Sequence, residues 1–217
     1  MKGIIYIATF LFLISCDFKS SEYYNSEAEK LEKEGKYKEA ILLLDKAIEK
    51  DSKNIYALLN RGADKSILDD YSGAIVDYST VIEIDNDNAL AYLNRGKNKK
   101  RLDDFYGAIE DFEKAIKTKG SVLLYMEKTE NSFIDTGFEF DVGMEEIRFE
   151  RGIARYNIDS LRTAFDDFNF CIQKNFELPA SYYWRGLIYL AYGRKTEACN
   201  DLKKSHELGD PDANVMI

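Results

Sequence analysis

The sequence contains few of the residues on which many enzymes and metal proteins depend. Its 217 residues include one histidine, His206, two prolines and three cysteines. A metal site with several histidine ligands is therefore impossible, and a histidine-based catalytic triad would depend on His206. The glycine loops of nucleotide-binding proteins are also missing. The composition, 45% hydrophobic and 32% charged, suits a helix-rich protein, and we expect neither catalysis nor a cofactor.

Basic residues are also fewer than acidic ones. Thirty lysine and arginine residues stand against 39 aspartate and glutamate residues, which gives a formal net charge of −9. A field of that sign repels phosphate backbones, so we expect no nucleic-acid partner. Asp85 and Asp87 have the spacing of a calcium loop, but the glycine and the glutamate that complete such a loop are absent. We therefore expect no bound metal.

Long hydrophobic runs are missing as well. The apolar run Ile4–Ile14 follows Lys2 and has 11 residues. A helix of that length rises about 16 Å, roughly half the thickness of a bilayer core, so it is too short to span a membrane. Its size and the preceding positive charge are typical of a signal peptide.

The run ends in Leu13-Ile14-Ser15-Cys16, which resembles the bacterial lipobox. That resemblance implies cleavage before Cys16 and attachment of lipid to its thiol, which would hold the mature protein at a membrane. Residues 1–15 are then the signal peptide and residues 16–20 a tether. An ordinary signal peptide and a short buried helix are the alternatives. Asp17 leaves open which membrane carries the protein.

Small and large residues recur through the remaining chain with a period of 34 positions. The recurring alanines are Ala40, Ala74, Ala108, Ala164 and Ala198. Twelve positions before them stand the small residues Ala28, Gly62, Gly96, Gly152 and Gly186, and four positions after them the large residues Leu44, Tyr78, Phe112, Phe168 and Leu202. Small residues let two helices approach closely, and large residues fill the space between them. The pattern resembles the tetratricopeptide repeat, in which each unit is a pair of antiparallel helices.

The resemblance implies an all-α, right-handed superhelix of about five helix pairs. We assign units 1 to 5 to residues 21–54, 55–88, 89–122, 145–178 and 179–212, and a C-terminal cap to residues 213–217. Gly35 and Gly193 fall at turns inside units, where a left-handed residue is expected. Ala108 and Ala164 are 56 positions apart, 22 more than the period. The excess predicts an insertion at residues 123–144, either a recognition arm or a spacer at the joint between two stacks.

A charged pattern accompanies the repeat. Each of four units has an arginine immediately before its small residue and an aspartate 16 positions later. The pairs are Arg61 with Asp77, Arg95 with Asp111, Arg151 with Asp167, and Arg185 with Asp201. We predict that these pairs join the two helices of each unit, since a partnered arginine is the less costly arrangement for a half-buried charge. Four successive anion sites are the alternative.

The resemblance also implies a binding surface, the concave face that the first helix of each unit lines. On that face we predict the partner-binding residues Tyr56, Leu59, Leu93, Lys97, Lys100, Arg101, Phe149, Tyr156 and Tyr183. The basic spot at Lys97, Lys100 and Arg101 would meet an acidic side chain or a C-terminus of a peptide. Alternatively, the rings pack against the insertion and the basic run is solvated.

Together, the lipobox and tetratricopeptide-repeat resemblances predict a membrane-anchored scaffold or adaptor for protein partners in the bacterial cell envelope, acting in assembly, secretion or maintenance. The alternative is an envelope lipoprotein that binds a glycan or small ligand between the inserted arm and the aromatic groove. Cys171 and Cys199 occupy helix-packing positions, which favours two free thiols over a disulfide.

Overall fold

The computed structural model describes residues 18–118 and 143–215, and every regular element in those two ranges is helical. The helices are α1 (Ser21–Lys33), α2 (Tyr37–Lys50), α3 (Ile55–Ile67), α4 (Tyr71–Ile84), α5 (Ala89–Arg101), α6 (Phe105–Lys117), α7 (Met144–Asn157), α8 (Leu161–Gln173), α9 (Leu178–Ala191) and α10 (Lys195–Glu207). A 3-10 helix, Asp212–Val215, follows and contacts α10. The signal peptide, Cys16 and residues 123–142 of the predicted insertion lie outside the described residues.

Local sequence sets the helix boundaries. The first helices of units 2 and 3 begin after Asn54 and Asn88, whose side chains accept hydrogen bonds from backbone amides three residues later. The turns inside units need one left-handed residue. Gly35 and Gly193 supply it as predicted, with φ of 73° and 71°. Three other units use an aspartate there instead, at positions 69, 103 and 159.

The helices form five successive hairpins that stack into a right-handed superhelix, which confirms the predicted fold. Each hairpin packs against the next, and each odd-numbered helix also contacts the next odd-numbered helix. In a curved stack of hairpins, the helices on the inner side lie closer to one another than those on the outer side do. The contacts between successive odd-numbered helices therefore place α1, α3, α5, α7 and α9 on the concave face.

Close approach within a hairpin depends on the small residue of the repeat. A Cβ added at Gly96 would lie 2.7 Å from Cε1 of Phe112, and one at Gly62 would lie 2.9 Å from Tyr78. Both rings are fully buried. Glycine therefore provides the space that the aromatic ring of the facing helix fills.

The stack continues across the insertion. Ile147 and Ala154 of α7 share one core with Leu93 and Phe112 of unit 3. Helix α7 begins at Met144, which we had assigned to the insertion, and Gly143 is its N-cap residue. Units 3 and 4 thus pack together as the other neighbours do.

Candidate functional site

The predicted partner-binding residues lie on four of the concave helices. They are Tyr56 and Leu59 on α3, Leu93, Lys97, Lys100 and Arg101 on α5, Phe149 and Tyr156 on α7, and Tyr183 on α9. Their surroundings divide this surface into a core-like middle, an aromatic C-terminal part and an acidic N-terminal part.

Two predictions about the middle of the concave face need correction. Leu93 is only 1% exposed and packs in the core shared by units 3 and 4, so its side chain does not line a groove. Lys97 and Lys100 form ion pairs with Glu146 and Glu150 of α7. Two of the three charges of the predicted basic spot are therefore neutralised within the chain, which leaves Arg101 as its exposed member.

The C-terminal part is a cluster of rings around the single tryptophan of the chain. Trp184 meets Tyr156 and Tyr183 edge to face, with ring centroids 5.1 and 5.7 Å apart, and stacks on Phe168 at 6.1 Å. Phe149 packs edge-on against Phe168 at 6.0 Å and so belongs largely to the core. Tyr156 and Tyr183 remain half-buried and reachable. Trp184 was not predicted, although it directly follows Tyr183 in the sequence.

The N-terminal part carries acidic groups that sequence reasoning missed. Three oxygens here are buried and have no hydrogen-bond partner among the described residues: Oδ1 of Asn25, Oε1 of Glu32 and Oδ2 of Asp64. Asp64 is 3% exposed. Its burial, together with the charge of Glu32, raises the pKa of its carboxyl group to about 7.

Glu32 and Tyr56 border the same place. Burial, followed by the charge of Glu29, raises the pKa of Glu32. Burial also raises the pKa of Tyr56, against a lowering by its hydrogen bond with Asn60. The charges of Glu29 and Glu32 add to this rise in the pKa of Tyr56, whereas the charge of Lys33 opposes it. The neighbouring helices α1 and α3 therefore bring acidic side chains, Lys33 and the Tyr56 ring within electrostatic range of one another.

The predicted arginine–aspartate contacts are present in all four units. In each, the guanidinium Nε and Nη2 atoms bind both carboxylate oxygens at 2.6 to 3.0 Å. The four aspartates, Asp77, Asp111, Asp167 and Asp201, are all buried. Because the guanidinium fork is already filled by a carboxylate, these arginines do not form a row of anion sites.

A second cation joins three of these pairs. Lys65, Lys99 and Arg155 lie four residues after the arginines of units 2, 3 and 4, and each is 2.8 Å from an oxygen of the same buried aspartate. This spacing is one helical turn, so the second cation of each trio could be found from the sequence beside the predicted pair. In unit 5 the corresponding residue is Tyr189.

Arginines of these ion pairs also form polar contacts with the preceding unit. Nη1 of Arg61 binds Asp45 at 2.6 Å, and Nη1 of Arg185 binds Asn169 at 2.6 Å. At the insertion, Arg155 reaches Glu113 of unit 3 at 3.1 Å. Polar contacts thus link consecutive units even where the repeat spacing is interrupted.

The described part of the chain contains two cysteines. Cys171 is buried and Cys199 exposed, and both are free thiols. Burial raises the pKa of Cys171 to about 12, so its thiol is a poor nucleophile. Among the residues the structure describes, no group of three acidic, histidine or cysteine side chains could hold a metal. Nor is any described helix both long enough and apolar enough to cross a membrane.

Comparison with known families and structures agrees with this geometry. A model described as TPR repeat matches residues 67–102, and one described as tetratricopeptide repeat matches residues 89–122. The chain carries tetratricopeptide repeats. The matches cover parts of units 2 and 3, and the other hairpins repeat the same packing. No curated protein matches the sequence.

Three solved structures share the fold at low sequence identity. MamA 41-end from Desulfovibrio magneticus RS-1 is 13% identical, with a TM-score of 0.72 over 87% of this chain and 94% of its own. YrrB, described as a TPR protein with an unusual peptide-binding site, is 18% identical, with a TM-score of 0.68 over 89% of each chain. PilW, described as a widely conserved type IV pilus biogenesis factor, is 16% identical, with a TM-score of 0.66 over 89% of this chain and 88% of its own.

Proposed function

We propose that this tetratricopeptide-repeat chain is a scaffold that binds a protein or peptide partner on its concave face. The observation that carries the proposal is the row of α1, α3, α5, α7 and α9, in which each helix contacts the next and half-buried tyrosines remain accessible. Such rings provide a large contact area at little cost in conformational entropy. The peptide-binding site named for YrrB supports the same use of this fold.

The proposal extends to location. Lipid on Cys16 would tether the scaffold to a membrane of the bacterial cell envelope, where it would act in assembly, secretion or maintenance. The lipobox-like Leu13-Ile14-Ser15-Cys16 sequence supports the tether. The description of PilW as a pilus biogenesis factor supports an envelope role.

Partner binding is tested by crosslinking in intact envelopes, followed by purification of the full chain. The informative variant is Tyr156→Ala/Tyr183→Ala, which removes the two half-buried rings beside Trp184. The matched control is Tyr106→Ala on α6, which removes a ring that is 71% exposed outside the concave helices. We expect a partner that the wild type and the control capture and the double variant loses. Equal capture by all three proteins would contradict a concave binding site.

The tether is tested by Cys16→Ser. We expect the wild type to incorporate an alkyne-tagged fatty acid and to sediment with membranes, and the variant to lose both properties because its hydroxyl group cannot take the thioether-linked lipid. Membrane association of an unlabelled wild-type protein would contradict lipid anchoring.

A further inference from the structure

The concave face changes in character from one end of the stack to the other. The predicted partner-binding residues occupy the second, fifth, ninth, twelfth and thirteenth positions of their units. In unit 1 these positions are all polar, and they hold Glu22, Asn25, Glu29, Glu32 and Lys33. In unit 5 they are all apolar or aromatic, and they hold Ala180, Tyr183, Leu187, Leu190 and Ala191. The α9 end of the concave face is therefore the part suited to an apolar ligand.

We call Tyr183, Trp184, Leu187 and Leu190 the α9 stripe. Their spacing places them on one side of α9. None of the four is buried, and Leu190 is 41% exposed. The edge-to-face contact of Trp184 with Tyr156 at 5.1 Å continues the apolar surface onto α7. With the alanines at positions 180 and 191, this surface runs for about 16 Å along the helix axis.

The described end of the stack is poorly suited to packing against a sixth hairpin or a second copy of the chain. Ile48, Ile82 and Ile116 pack where their units meet the next one. The corresponding residue of α10 is His206, which is exposed. An array that ends in a polar residue at this position is capped. The α9 stripe therefore serves a ligand on the concave face and not an extension of the stack.

Two aspartates lie at the N-terminal end of the α9 stripe. The Ser205 hydroxyl oxygen is 2.7 Å from the carbonyl oxygen of Pro179 and 3.0 Å from Oδ2 of Asp210. Pro179 belongs to the first turn of α9, one turn before Tyr183. Oδ1 of Asp210 accepts a hydrogen bond from the backbone amide of Asp212 at 3.0 Å. Because Asp212 is exposed, a ligand on the stripe would meet negative charge at this end.

This surface favours a helical ligand over an extended one. Helices α7 and α9 use their backbone amides and carbonyls in their own hydrogen bonds, so they offer an extended segment no partners like those of a sheet edge. A helix satisfies its own backbone groups and can present one apolar face. Its side chains alone then provide the contact.

We propose that the α9 stripe binds an amphipathic helix of the protein partner and that this helix places a basic side chain beside Asp212. The apolar face of the helix would pack on Tyr183, Leu187 and Leu190. The inference rests on the proposed function and identifies the kind of segment that the scaffold binds. It replaces the acidic ligand expected for the basic spot, since Lys97 and Lys100 are already paired.

The test places the photo-crosslinking residue p-benzoylphenylalanine at Leu190 of the full chain in intact envelopes. Mass spectrometry then identifies the partner segment that is captured. We expect apolar residues at every third or fourth position of this segment and a lysine or arginine at one end. The same crosslinker at Val76, which is 63% exposed on α4, should not capture it.

Variants of the crosslinking protein measure the contributions of the stripe and of the charge. Leu187→Gln should lower the yield about tenfold, as the loss of one anchor of an interface does. Asp212→Asn should lower it about threefold, because an exposed ion pair contributes less. Leu42→Gln makes the same change as Leu187→Gln at a site on α2 that is 63% exposed, and it should leave the yield unchanged. Circular dichroism verifies that each variant keeps its helices.

Capture of a segment without this periodicity, of lipid, of a second copy, or of residues 119–142 of the same chain would overturn the inference. An unchanged yield in Leu187→Gln or in Asp212→Asn would also contradict it. The Tyr156→Ala/Tyr183→Ala experiment distinguishes this failure from failure of the proposed function. If that variant loses a partner but position 190 captures no amphipathic segment, the scaffold proposal stands and the inference falls. If neither experiment captures a partner, both fall.

Discussion

At the scale of single residues, the contact between Gly96 and Phe112 decides how closely α5 approaches α6. We predict that Gly96→Ala destabilises the protein, because the new Cβ would lie 2.7 Å from a ring carbon that has no room to move. Overpacking of this kind costs about 1–3 kcal/mol and exceeds the gain of up to about 1 kcal/mol from better helix propensity. Urea unfolding followed by circular dichroism measures the difference.

Unit 1 supplies the control for this experiment. There the small residue is Ala28 and the facing residue is Leu44, both fully buried. The double variant Gly96→Ala/Phe112→Leu installs the same combination in unit 3. We expect its loss of stability to be smaller than the sum of the two single losses. Strict additivity would show that a steric conflict with the ring is not the cause.

Asp64 leads to a prediction about pH. Its folded-state pKa of about 7 lies above the ordinary value of 3.8. The stability that its protonated form provides is therefore fully present below about pH 4 and is lost as the pH rises through 7. Asp64→Asn cannot ionise. Since one pKa unit corresponds to about 1.4 kcal/mol, its advantage over the wild type should grow by up to about 4 kcal/mol between pH 4 and pH 8.

Unfolding experiments at several pH values check this expectation. The reciprocal variant, Asn98→Asp, puts a carboxyl group at the corresponding buried position of unit 3 and should lose stability as the pH rises. Parallel pH profiles of Asp64→Asn and the wild type would show that Asp64 is not desolvated.

At the scale of helices, the joint between units 3 and 4 combines a shared core with ion pairs. Lys100 and Glu150 are each only 18% exposed, so their pair is weakly screened by solvent. We predict that Lys100→Glu weakens this joint, because two carboxylates would then face each other. The charge-swapped variant Lys100→Glu/Glu150→Lys should recover most of the loss. Hydrogen exchange of α7 measures the effect, and equal exchange in the two variants would contradict it.

Helices and their pairing were predictable because each follows from spacing within one unit. The 34-residue period and the Arg95–Asp111 spacing involve local sequence alone. By contrast, the partners of Lys97 and Lys100 stand 49 and 50 residues further on, beyond the insertion. Their alignment depends on how α7 docks after that interruption. The burial of Leu93 has the same origin, since Ile147 of α7 shares its core.

At the scale of the whole molecule, the two ends of the concave face differ in chemistry. The α1–α3 end carries unpartnered acceptors, and the α7–α9 end carries rings around Trp184. A partner that spans the face would therefore meet acidic and amide groups at the first end and aromatic rings at the second.

The continuity of the stack leads to a final prediction about the insertion. Helices α4 and α5 are joined by the four residues Asp85-Asn86-Asp87-Asn88, whereas α6 ends at Lys117 and α7 begins at Met144. Because α7 contacts α5 and α6 as other units contact their neighbours, we predict that replacing residues 118–143 by Asp-Asn-Asp-Asn leaves a cooperatively folded solenoid. Stability in such arrays is approximately a sum of units and nearest-neighbour contacts.

Circular dichroism and urea unfolding of this variant distinguish the two roles considered for the insertion. Retained cooperativity with lost partner capture would identify the inserted segment as a recognition arm. Separate unfolding of units 1–3 and units 4–5 would mean instead that the segment stabilises the joint, and that the contacts of Ile147 and Arg155 with unit 3 are insufficient without it.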